Sequence, residues 1–285
     1  MSTNTKQVSL HGKRVYLTPE DILVARNAMA TGGDDKPSVV VPGSHDTVAL
    51  FDDFLGDLVA DEWAYVEADT GYSGVIQTGT GGVFRITGSE TNGVAPTDVA
   101  ALTAGLVKNW KADMGGPKGG RLRLTWRGKF DSVSRTAEGG RTHVFVGFSD
   151  SGGAEMPAYD TGGGVISNAA DMVGFLFSPG GDTGWSLVSV KSTAGDSGDQ
   201  LSVPVIGPAA NVYDTLELEV RSGLNDTGGT AHFWIDGIKR GSIASPVNSA
   251  VALTPWVGMW VQDTGYAATL DTDYIAISAP RDTGL

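Results

Sequence analysis

The triplet Asp-Thr-Gly occurs six times, beginning at Asp69, Asp160, Asp182, Asp226, Asp263 and Asp282. Two aspartates held in such triplets and sharing one proton could activate water against a peptide bond. That chemistry needs an apolar strand running into each aspartate and a small hydroxyl residue or Ala after each glycine. Here the triplets are followed by Tyr72, Gly163, Trp185, Gly229, Tyr266 and Leu285. Asp and Thr side chains bond nearby backbone amides and Gly accepts positive φ, so each triplet reads as a turn. A second acidic pattern, Glu217-Leu218-Glu219, puts two carboxylates on one side of an alternating strand. Carboxyl groups about 5 to 9 Å apart are what glycoside hydrolysis uses. No third acid and no Trp-rich run accompanies this pair, so it reads as a solvated strand face.

Other catalytic sets are not assembled. The four histidines, His11, His45, His143 and His232, fall in an arm, a linker and two strands. No serine sits in a nucleophile-elbow context. His143 and His232 are expected on strand surfaces. The absence of cysteine excludes disulfides, zinc–thiolate sites and thiol nucleophiles. The chain is therefore expected to be no enzyme and to require no cofactor. Binding chemistry is better represented, because seven tryptophans are present. Trp256 and Trp260 lie four apart with Val257 and Met259 on the opposite side, so the two indoles share one strand face. They are the candidate glycan platform, and packing is the competing role of a strand tryptophan.

The elements that would carry these residues are strands. Leu216, Leu218 and Val220 alternate with Glu217, Glu219 and Arg221, the period of a half-buried strand. A Gly-rich turn at 225–229 leads into Ala231 to Ile235, and Asp236-Gly237 is a strong signal for a two-residue hairpin. Ile238 to Ile243 returns, giving an antiparallel meander. Strand-like runs recur at 75–77, 83–87, 106–111, 122–130, 142–148, 173–178, 185–190, 256–261 and 269–278. The run 94–106 reads as a helical turn or an ordered loop. Glycine, 41 of 285 residues, is about twice its usual share and has no triplet period, which indicates many tight turns. The fold class is all-β, an antiparallel sandwich.

One helix stands apart. Thr18 is a good N-cap, Pro19 suits the first helical position, and Glu20 and Asp21 complement the helix dipole. Ile22, Leu23, Ala25, Arg26 and Met29 form a narrow apolar stripe before Gly32-Gly33, so the helix spans about 18–31. A helix this short is marginal alone and should dock on something. It follows a basic arm, 1–17, that holds Lys6, Lys13 and Arg14 without an acid and ends in Val15-Tyr16-Leu17. Residues 31–47 read as a linker. The division is thus 1–47 as an anchoring segment and 48–285 as the β domain.

The stretch AHFWIDGIKRGS, residues 231–242, resembles the central hairpin of concanavalin A-like (laminin-G-like) jelly rolls. Phe51-Asp52-Asp53-Phe54 followed by Trp63 resembles the first strand of such domains. Leu270-Asp271-Thr272-Asp273-Tyr274-Ile275-Ala276-Ile277 resembles their closing strand. The likeness covers roughly residues 48 to 280 and implies an antiparallel jelly-roll β-sandwich. It also implies a structural Ca²⁺ near the first and last strands, at Asp52, Asp53 and Asp273 with Asp271 adjacent, since carboxylate oxygens suit a hard cation. The competing role for Asp52 and Asp53 is to blunt an edge strand. The layout of arm, helix and jelly roll is similar to bacteriophage virion proteins that attach a lectin-like domain to a head or tail.

A formal charge of −13 argues against a nucleic-acid partner. No apolar stretch has signal-peptide or membrane-spanning length, and the likeness to phage virion proteins implies a virion assembled in host cytoplasm as the site of action. The expected role is a non-enzymatic capsid decoration (cement) or head-associated protein. Its arm and helix, through Lys13, Arg14, Tyr16, Leu17, Ile22, Leu23, Arg26 and Met29, would hold a major capsid or other virion protein, and copies would associate as a homo-oligomer. The alternatives are a carbohydrate-binding adhesion module that takes a surface glycan and, more weakly, a glycosidase of the same superfold.

Overall fold

Alternating positions build one sheet of this molecule and unbroken apolar runs build the other. The chain is described from a computed structural model at residues 6–10, 13–17, 47–54, 63–67, 71–77, 82–89, 99–103, 110–111, 121–131, 142–151, 155–160, 165–179, 184–192, 206–222, 229–248, 250–262 and 266–280. The first strands are β1 (Lys6–Leu10), β2 (Lys13–Leu17), β3 (Thr47–Asp52), β4 (Ala64–Glu67), β5 (Tyr72–Gln77) and β6 (Val83–Ser89). Next come β7 (Val99–Thr103), β8 (Arg121–Phe130), β9 (Thr142–Ser149), β10 (Ala158–Asp160), β11 (Val165–Ser167) and β12 (Met172–Phe177). The last are β13 (Ser186–Val190), β14 (Asp214–Arg221), β15 (Thr230–Ile235), β16 (Ile238–Ala244), β17 (Thr254–Val261) and β18 (Ala267–Pro280).

Two large antiparallel sheets face each other. The six-stranded sheet runs β13-β12-β9-β17-β7-β4. The eight-stranded sheet runs β16-β15-β14-β8-β18-β6-β5, with β3 also paired to β18. Between them lie Leu122, Leu124 and Trp126 of β8 and Leu216, Leu218 and Val220 of β14, packed with Val144 and Val146 of β9 and Val257 and Met259 of β17. Trp185 anchors this core, with its ring edge-on to Trp126, Phe130, Phe175 and Phe177 at centroid distances of 6.3, 5.8, 6.4 and 6.1 Å. Its indole N–H is satisfied by the Asp214 carboxylate at 2.9 Å, and that of Trp126 by Thr272 Oγ1 at 3.0 Å. Both of these indole donors are therefore met inside the core, as is usual for a buried tryptophan.

The expected meander is present as β14, β15 and β16, and Asp236 and Gly237 take φ of 52° and 74° in the turn. Positive φ at both positions is the backbone twist that a tight hairpin requires. Residues 99–103 depart from the sequence reading. They form β7, paired with β17 and β4, rather than a helical turn or loop. All five residues are buried, so the run Val-Ala-Ala-Leu-Thr shows no alternation, and its alanines carry no strand signal of their own. Of the run 106–111 only Trp110 and Lys111 are described, and Trp110 makes an isolated bridge to Leu253.

Before the sandwich, β1 and β2 pair as a small antiparallel hairpin that joins neither large sheet. Lys13, Arg14, Tyr16 and Leu17 lie on β2. The helix expected at about 18–31, with Ile22, Leu23, Arg26 and Met29, lies outside the described residues.

Candidate functional site

The six-stranded sheet is covered on both faces. In β17, Val257 and Met259 point into the inter-sheet core, while Trp256 and Trp260 point the other way, on one side as their spacing predicted. That side is not open. Met156, Ala158, Val165 and Ala169, carried by the β10–β11 hairpin and its flanks, pack over Phe145, Met172, Leu176 and both indoles. Trp256 is 0% and Trp260 1% exposed, so the expected open glycan platform is not formed. The physical reason is a hairpin that the sequence reading did not find. Phe145 meets Trp256 edge-on at 5.7 Å, and Tyr159 meets Trp260 edge-on at 5.3 Å. The Nε1 atoms of both tryptophans are buried without a hydrogen-bond partner.

A polar staple holds this hairpin down. Ser178 Oγ accepts the Asp160 backbone N–H at 2.9 Å and donates to the Asp160 carbonyl at 2.7 Å. His143 Nδ1 lies 2.6 Å from the same oxygen, and its Nε2 lies 3.0 Å from Gln262 Oε1. The hydroxyl owns one hydrogen, which goes to the carbonyl, and the proton placement on the two His143 nitrogens depends on the ring tautomer. A Ser–His contact can generate a nucleophile, but here the hydroxyl is aimed at a backbone carbonyl. The contact positions the hairpin. His143 was expected on a strand surface. It is fully buried instead, its ring stacked on Trp260 at 4.5 Å and 21°. Of the six triplet aspartates, only Asp160 is among the described residues, and it ends β10. Neither Ser178 nor Asp160 carried a sequence signal for this contact, because the pairing is made across 18 residues by the fold.

The eight-stranded sheet carries charged residues on its outer face, where Glu219 and Asp271 are themselves covered by neighbouring side chains. Glu217 and Glu219 both project there, lining a groove of about 280 Å³ with Arg123, Thr125, Arg221 and Trp234. Register sets Glu219 directly opposite Arg123 on one side and His232 on the other. Glu219 is ion-paired to both Arg123 and Arg221. Burial raises its pKa, but the hydrogen bond from Arg221 and the charges of both arginines outweigh burial and hold it below the usual carboxylate value. A carboxyl held in the ionised form is not suited to the general-acid role of glycoside hydrolysis. His232 is pushed down, first by burial and then by Lys239 and Arg221.

The fit of the acids expected to hold calcium can be judged on their partners. Asp52 Oδ1 accepts the Phe54 N–H at 2.8 Å, which serves a turn in which Phe54 takes φ of 51°. Asp273 is ion-paired to Arg127, and Asp271 takes both a 2.6 Å and a 2.8 Å hydrogen bond from Arg85. Among the described residues no group of three His, Cys, Asp or Glu side chains is placed to hold an ion. With guanidinium groups already against them, Asp271 and Asp273 are not disposed to hold a hard cation.

No protein-family model matches the sequence, and no curated protein does. Among solved structures, the chain is similar to endo-1,3-beta-glucanase from Streptomyces sioyaensis, with 11% identity over 84% of this chain and 98% of that one and a TM-score of 0.50. It also aligns with basic winged bean lectin (9% identity, 82% and 98% covered, TM-score 0.47) and with peanut lectin (9% identity, 82% and 97% covered, TM-score 0.43). The protein is a concanavalin A-like jelly roll in its fold.

Proposed function

We propose that the protein is a non-enzymatic structural module of a larger particle, acting as a capsid decoration (cement) or head-associated protein of a virion. The observation that carries this reading is the filled outer face of the six-stranded sheet. Where an open cleft could take substrate or glycan, the chain packs its own β10–β11 hairpin over Trp256 and Trp260. Glu219, already ion-paired to Arg123 and Arg221, is taken up by those partners, which supports the non-enzymatic reading. Attachment is assigned to the segment before the sandwich, where Lys13, Arg14, Tyr16 and Leu17 lie on a hairpin outside both large sheets. The partner is then a major capsid or other virion protein.

Co-sedimentation of the full-length protein with purified capsid shells tests this. The wild type is expected to pellet with shells, and the variant K13E/R14E to stay in the supernatant. A wild-type protein that never pellets with shells, or that releases reducing sugar from a β-glucan, overturns the reading. Binding of the wild-type protein to a glycan array would move the function to the adhesion alternative.

A further inference from the structure

The charge of this molecule is unevenly spread, and the outer face of the eight-stranded sheet is where the imbalance lies. The outward positions of β8 are Arg121, Arg123, Thr125, Arg127 and Lys129, because Leu122, Leu124 and Trp126 point inward. Arg85, Arg221 and Lys239 on neighbouring strands bring the cations on this face to seven. Five carboxylates share the face, namely Glu217, Glu219, Asp271, Asp273 and, just past the end of β8, Asp131, whose charge acts on Arg85. The face is therefore +2 while the whole chain is −13, which leaves the remainder of the chain at −15.

The carboxylates do not neutralise the face evenly. Asp271 and Asp273 on β18 hold Arg85, Arg127 and, at 3.9 Å, Lys129. At the other end of β8 the balance fails. Arg121 stands directly opposite Arg221 in the β8–β14 register, although like charges placed opposite each other destabilise a strand pair. Glu219 is shared between Arg123 and Arg221, and no described carboxylate pairs with Arg121 or Lys239. Arg123 and Arg221 remain 50% and 47% exposed, so their remaining donors are open to a partner.

We infer that this face docks the acidic surface of a second copy of the same chain. A partner must supply carboxylates in number, and the rest of this chain, at −15, supplies them at equal concentration. The contact is heterologous, one patch against a different patch, so it propagates from copy to copy into a ring or an array rather than stopping at a two-fold dimer. Its strength is electrostatic and falls with salt. The inference deepens the structural reading by naming a surface. It is read without any shell present, so its failure and that of shell attachment are separate results.

Sedimentation velocity of the full-length protein in low salt and in about 0.5 M NaCl, where screening acts within a few ångströms, tests the inference. Species larger than a monomer are expected in low salt and a monomer in high salt. The variant R121E/K239E should weaken self-association about tenfold or more. Its melting temperature should hold, because a glutamate at 121 faces Arg221 favourably. A monomer at every salt and concentration overturns the inference. So does association unaffected by salt and by R121E/K239E. A monomer whose R121E/K239E variant loses binding to heparin would also overturn it, and would give the face to an anionic polymer.

Discussion

The two sheets of the sandwich differ in what their outward faces are for. The six-stranded sheet has every residue of β7, β9, β12, β13 and β17 buried, and its outer face is a second apolar core of 13 buried residues under a stapled hairpin. The eight-stranded sheet turns an equally apolar inner face to the centre and a charged lattice to water. In jelly-roll terms the first has been spent on stability and the second left for encounter. One strand shows the contrast at the scale of single residues. In β14, Asp214 sits under the core, where burial first, with Asp236 adding, raises its pKa against the lowering hydrogen bond from Trp185. Five positions later Glu219 projects outward, and its arginines lower its pKa.

The most direct way to break the comparison is to place the same charge on both outer faces. Trp256→Asp should cost about 4 kcal/mol or more, since it removes a filled volume and buries a carboxylate. Thr125→Asp should stay within about 0.5 kcal/mol. Urea unfolding of the two variants measures the difference, and equal losses would mean that the hairpin does not cover the six-stranded sheet in solution. The staple comes next. Ser178→Ala removes the hydroxyl that serves the Asp160 backbone and His143 Nδ1, at about 1–3 kcal/mol. Amide exchange should quicken in β10 and β11 and stay unchanged in β14.

The carboxylates on β14 then separate by pH. A raised pKa for Asp214 means stability that is fully present below its unfolded value and lost as pH rises through the folded one. Asp214→Asn should therefore gain on the wild type as pH rises, by about 1 kcal/mol at pH 8. Glu219 has the opposite sign: its contribution is present above the unfolded pKa and lost as pH falls through the folded one. Glu219→Gln should destabilise at pH 7 by about 1 kcal/mol and by less in acid. Melting curves between pH 3 and pH 8 read both, and parallel curves would refute the assignment. The smallest effect is expected from metal. EDTA followed by added Ca²⁺ should leave the melting temperature where it was, because arginines already hold Asp271 and Asp273; a rise on adding Ca²⁺ would restore the calcium expectation.

Much of the eight-stranded sheet was legible because a sheet wet on one face writes its burial into every second residue. Leu216 to Arg221 could be placed, with the correct side inward, from alternation alone, and 122–130 was read as a strand. The doubly buried sheet is written in a different script. Val99 to Thr103 has no alternation, and it shares its alanines and leucine with a helix. The spacing of Trp256 and Trp260 gave their common side but not what lies on that side. That answer rests on the β10–β11 hairpin, whose two three-residue strands are too short for any periodicity. His143 failed for the same reason. A polar residue in a strand reads as exposed until its partners are known, and Ser178 and Gln262 are 35 and 119 residues away. The groove was legible only in part, since Glu217 and Glu219 were found but their arginines come from register.

The longest strand sets a timetable for the chain as it is made. β18 is 14 residues long and lies between β8 on one side and β6 and β3 on the other. Its pairing of Pro280 with Thr47 joins residues more than two hundred positions apart. Until 267–280 has left the ribosome, β3, β6 and β8 have no common neighbour, and the inner face of that sheet has no complete surface to bury. Domains this rich in distant contacts close late and slowly. The nascent chain must therefore keep its apolar strands apart for most of its synthesis, and a scatter of 41 glycines and many turns helps hold them short and separate. A ribosome stalled before residue 267 would carry a chain that chaperones and proteases recognise as open.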